Sequence, residues 1–129
     1  MKSNKTKEIE YLNIQIIISL IVIVTVVTSI ILTYNEKLEL QNKKTLFNKR
    51  TTHNISYINR LVILITGIIF LYINYKLYQI SKKEGEDLKI YYLQIIASIL
   101  TVIAASIALY IVSKETVIDS VSDVENPII

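Results

Sequence analysis

The chain of 129 residues has no cysteine, no tryptophan, one proline, two glycines and one histidine. Without cysteine, disulfides and thiolate metal sites are excluded. His53 has no second histidine to complete an imidazole site, so no metal is expected. Gly67 and Gly85 are isolated, which leaves no glycine-rich loop to cradle a phosphate. The long apolar blocks contain no Asp, Glu or His, and therefore no acid–base pair and no carboxylate to carry a proton at depth. Serine and threonine are plentiful, yet none has a base at a recognisable spacing. The sequence thus predicts no enzyme, no cofactor and no small-molecule ligand. A net charge of +3, dispersed at block ends, does not argue for nucleic-acid binding either.

Hydrophobic residues make up 52% of the chain, with a mean hydropathy of +0.46. They fall into three blocks, roughly 11–34, 58–78 and 90–112, each long enough as a helix to cross a bilayer at about 20 residues per span. Soluble domains spread their apolar residues at a period of 2 or 3.6 instead. The fold expected is an all-α integral membrane protein of three transmembrane helices. Residues 1–10 read as a polar tail, and 35–57 as a basic loop with an amphipathic lead-in helix. Residues 79–89 read as a tight turn, and 113–129 as an acidic helical tail. The first block exceeds a signal-peptide core of 7–15 residues and has no A-x-A-like cleavage site, so it is read as a retained span.

The third block, Ile90–Val112, carries all of the alanine. On a helical wheel Gln94, Ala97, Ser98, Thr101, Ala104, Ala105 and Ala108 share an arc of about 120°. Small residues on a membrane helix mark where another helix comes close. In the second block Asn59, Arg60, Thr66, Gly67 and Asn74 share a comparable arc, against a face of Leu, Ile, Val and Phe. An Asn facing lipid is costly, so Asn59 and Asn74 should turn to a partner helix or to the interface. Arg60 is expected to snorkel to the headgroups. Thr25, Thr28, Ser29 and Thr33 form a broader hydroxyl face on the first block, best explained by bonds to carbonyls of their own helix.

Between the second and third blocks, Lys82 and Lys83 suit a helix C-terminus and Gly85 a left-handed cap. Glu86 and Asp87 suit the first turn of the next helix. This predicts a tight antiparallel hairpin that brings Gly67 against the small-residue stripe. In the first loop Lys37–Lys44 alternates leucine with charge, suggesting a short strand or surface turn. Helical spacing resumes near Thr45, with Leu46 and Phe47 at the headgroups and Lys43, Lys44, Lys49 and Arg50 near lipid phosphates. Past the third block, Val117, Ile118, Val121 and Val124 face away from Glu115, Asp119 and Asp123, an amphipathic extension expected to stop before Pro127. All nine tyrosines lie near span ends, as an aromatic belt would place them.

Lysine and arginine divide seven to each side of the membrane, so the overall count sets no orientation. The third block, with Lys82, Lys83 and Lys89 before it and Lys114 after it, favours the amino end in the cytoplasm and the acidic tail outside. The abundance of Ile, Lys, Asn and Tyr suits a low-GC bacterial genome. The functional expectation is a cell-membrane protein acting through helix–helix association, as an accessory or self-associating component. Its partners would be the lipid bilayer and either further copies or a larger membrane complex. The alternative is a pore former, since the layout resembles that of three-span holins. The acidic tail departs from the basic tail common among them.

Overall fold

The computed structural model describes residues 4–125, with side chains through residue 115. The described chain is three helices and no strand: α1 (Asn4–Leu40), α2 (Lys49–Lys83) and α3 (Lys89–Glu125). Each is long and apolar enough to span a membrane. The helices outrun the apolar blocks because their ends are capped by polar backbone chemistry rather than by hydropathy. In particular α1 runs on through Leu38 and Leu40, where a strand or surface turn was expected.

Both connections begin with the same device. At the end of α1, Asn42 takes the left-handed conformation (φ 56°). Lys43 N donates to Leu38 O at 2.9 Å and Asn42 N to Glu39 O at 3.1 Å. This is the Schellman pattern, which satisfies carbonyls that a helix end would otherwise orphan. At the end of α2, Gly85 (φ 73°) repeats it, with Glu86 N donating to Ser81 O and Gly85 N to Lys82 O. Lys82 and Lys83 do occupy the last turn of α2. Glu86 and Asp87 do not enter α3, whose first turn holds no acid. The Schellman turn uses Glu86, and Asp87 stays outside the helix, its Oδ1 accepting from Lys89 N at 3.0 Å. The start of α2 is set by Asn48, whose side chain accepts from Thr51 N at 2.7 Å. Leu46 and Phe47 therefore precede the helix rather than open it.

α2 packs against both α1 and α3, and among the described residues α1 and α3 do not pack against each other. Its neighbours meet it along seams with a period of 3.5 residues. On α3 the less exposed positions Tyr91, Ile95, Ser98, Val102, Ala105, Leu109 and Val112 keep this spacing, with Ala108 beside them. On α1 Tyr11, Gln15, Ile18, Val22, Thr25, Ser29 and Leu32 keep it, with Thr28 beside them. Spacings that alternate four and three keep one edge facing a partner, as in left-handed coiled coils. The apolar centre is Ile18, Ile73 and Leu77, with Tyr11, Val22, Phe70 and Tyr91 packed around it.

Polarity is inverted relative to a water-soluble bundle. Among the described residues six hydrophobic side chains are buried, and so are six polar ones: Thr25, Asn35, Asn59, Thr66, Ser81 and Ser98. Meanwhile Ile16, Ile17, Leu20, Ile23 and Val24 are all more than half exposed along one stretch of α1. So large a continuous apolar surface is stable only in an apolar solvent. This is consistent with a multi-pass membrane protein. The amphipathic faces expected for Val117–Val124 and the stop before Pro127 lie outside the described side chains, although the α3 backbone runs to Glu125.

Candidate functional site

Several of the polar side chains that enter the interior join helices, and three asparagines do most of this. Asn74 accepts from Gln15 Nε2 of α1 at 3.3 Å and donates through Nδ2 to Ser98 Oγ of α3 at 2.6 Å. Ser98 in turn donates to Gln94 O at 2.9 Å. One side chain on α2 thus connects all three helices. Asn59, 6% exposed, donates to Thr25 O at 3.3 Å and to Ser29 Oγ at 3.0 Å, both on α1. Asn35, 2% exposed, donates to Thr52 Oγ1 and accepts from the backbone N–H groups of Leu46 and Phe47 at 2.8 and 3.1 Å. Among the described residues no buried side-chain nitrogen or oxygen lacks a partner. In hydrocarbon each unpaired group would be costly, so the bonds fix register as well as contact.

The expected packing residues divide between the two neighbours of α2. Asn59 faces α1, whereas the sequence pairs its face with the small stripe of α3. Asn74 reaches both helices. Thr66 is buried and donates back to Ile63 O at 2.9 Å. Gly67 is buried against α3: a Cβ built there would stand 3.5 Å from Val102 Cγ2 and 3.8 Å from Thr101 Cγ2. On α3, Ser98 and Ala105 are buried and Ala108 is half-buried. Gln94, Ala97, Thr101 and Ala104 are exposed. The contact face is turned by about 70° from the centre of the stripe, because α2 takes Ile95, Val102 and Leu109 together with the small residues between them. Half of the stripe therefore borders the helix pair without being covered by it.

The hydroxyls of α1 bond to their own helix. Thr25 donates to Val22 O, Thr28 to Val24 O, Ser29 to Thr25 O and Thr33 to Ser29 O. Gln15 and Asn35 are the contributors that wheel reasoning missed. Both continue the three-and-four spacing of Ile18, Thr25, Ser29 and Leu32, which was visible in the sequence at a period of 3.5.

Near the first loop, α1 and α3 flank an open cavity of about 860 Å³ floored by α2. At the opposite end the rings of Tyr78 and Tyr92 meet edge to face with centroids 5.4 Å apart. Lys76 and Lys114 lie over Tyr72 and Tyr110 at 5.5 and 5.7 Å. Beside the second connection the Glu84 carboxyl is raised above its ordinary value of 4.5. The causes are, first, its hydrogen bond with Glu86, then slight burial and the charges of Glu86 and Glu8. Among the described residues no group of three or more His, Asp or Glu is placed to hold a metal. No family model, curated protein or solved structure matches the chain.

Proposed function

We propose that this chain is a bacterial cell-membrane protein that acts through helix–helix association, as an accessory or self-associating component without catalysis. In this reading α2, the short connection and α3 form a tight antiparallel hairpin with α1 laid along its other side. The amino end is cytoplasmic and the acidic tail outside. The observation that carries the reading is the uncovered flank of α3. Ala97 and Ala104 are small, exposed and adjacent to the buried Ser98 and Ala105. Lipid contact gains nothing from small residues, whereas another helix can approach closely over them.

The absence of cysteine makes the test clean. Single cysteines at Ala97 and Ala104 should cross-link in native membranes, to a second copy or to a partner, while a cysteine at Ile103 on the opposite face should not. Equal reaction at all three positions, or none at any, would remove the basis for association. Following membrane potential after induction adds a second check. An abrupt depolarisation would replace the association reading with pore formation.

A further inference from the structure

We infer that the cavity between α1 and α3 is a binding site for a phospholipid whose headgroup carries both a phosphate and a primary ammonium. The inference rests on insertion of the three helices in a bilayer and is independent of whether the protein associates.

The cavity of about 860 Å³ lies within the size range of pockets that enclose small ligands, roughly 300–1,000 Å³. It is open on one side, between two helices that do not pack together. Leu32, Ala108 and Ile111 provide its apolar walls. Arg60 also lines it, half-buried, and among the described residues no carboxylate pairs with it. Because the neighbouring Asn59 bonds to Ser29, Arg60 stands roughly level with Ser29 on α1. Glu36 and Glu39 line the same cavity farther along α1, about 10–15 Å nearer the aqueous surface at 1.5 Å per residue. Glu115 joins them from α3, and Lys49 and His53 of α2 line the same end, which leaves the mouth net acidic.

Below stands one cation, and above it three carboxylates outnumber Lys49, the reverse of what an anionic lipid would need. It is the order of charges in an amine-bearing phospholipid, whose phosphate lies nearer the hydrocarbon than its ammonium. Arg60, with a planar fork of donors, suits a phosphate and can extend toward it. An ammonium with three N–H donors suits carboxylate acceptors, and a quaternary amine, which has no N–H, does not.

The full-length protein can be purified in detergent and exposed to equal amounts of phosphatidylethanolamine, phosphatidylglycerol and phosphatidylcholine of matched chains. Lipid retained by the protomer is then read by native mass spectrometry. Phosphatidylethanolamine should be retained about tenfold over the other two, the difference that one charge-assisted contact supplies. Arg60→Gln should lose about tenfold in retention of phosphatidylethanolamine, and Arg60→Lys should recover part of it. Glu36→Gln combined with Glu39→Gln, both on an exposed edge, should keep phospholipid but erase the preference for the amine. Equal retention of the three lipids, preference for phosphatidylglycerol, or unchanged retention in Arg60→Gln would overturn the assignment.

Discussion

Replacing Asn74 with alanine removes a side chain of α2 that hydrogen-bonds to both of its neighbours. Two bonds are lost: the 2.6 Å donation to Ser98 and the 3.3 Å acceptance from Gln15. Interhelical hydrogen bonds in membranes average about 0.6 kcal/mol and reach about 1.7 kcal/mol. The short bond to Ser98 belongs near the upper value and the long one to Gln15 near the lower. Asn74→Ala should therefore destabilise the bundle by about 2 kcal/mol, of which about three quarters depends on Ser98. A double-mutant cycle of Asn74→Ala and Ser98→Ala isolates that share. The assay is unfolding in mixed micelles with a rising fraction of denaturing detergent, followed by helical circular dichroism. The coupling should fall between about 0.6 and 1.7 kcal/mol, and the Gln15→Ala cycle should give less. A coupling to Ser98 within about 0.3 kcal/mol of zero, the ordinary limit of additivity, would refute the role of Asn74 as a three-helix joint.

Gly67→Ala should stabilise the protein by up to about 1 kcal/mol in the same assay, since the new methyl meets Val102 at ordinary contact distance while the helix gains propensity. Gly67→Ile should instead cost about 1–3 kcal/mol by overfilling the contact, and a stable Ile variant would count against close approach of α2 and α3. Glu84→Gln should raise the melting temperature slightly at pH 7. The carboxyl is raised in the fold, so ionising it opposes folding, and the gain should fade as pH drops through 4.5 and both acids protonate. A gain that grew on acidification would contradict the Glu84–Glu86 contact.

The spans and the inward turn of Asn59 and Asn74 were legible in the sequence because they follow from one cost, a polar group in hydrocarbon. Which helix each asparagine would meet was not, since it depends on the side from which α1 and α3 approach α2. The small stripe of α3 shows the same limit. Its residues mark an edge where backbones can come close, but Ile95, Val102 and Leu109 also needed burial, and their share turned the contact away from Ala97 and Ala104. At the second connection, lysines and glycine announced the helix end because each acts on a local dipole or backbone angle. Glu86 and Asp87 were misplaced by a few residues because a Schellman turn consumes positions that a charge pattern alone assigns to the next helix. Asn35 looked like a loop residue, and only a seam spacing carried past Tyr34 would have placed it inside.

Because α1 and α3 are joined through Asn74 but separated by the cavity beside Arg60, the bundle has the mechanics of tongs. The rivet is the Gln15–Asn74–Ser98 relay, and the jaws open about 21 Å away along α2, fourteen residues at 1.5 Å each. At that lever arm a rocking of about 5° moves a jaw by about 2 Å, close to the width of one methylene layer. A change in bilayer thickness or in the occupant of the jaws would then be felt at the rivet as a change of angle, with α1 and α2 moving as one jaw because Asn59 and Asn35 bond them together.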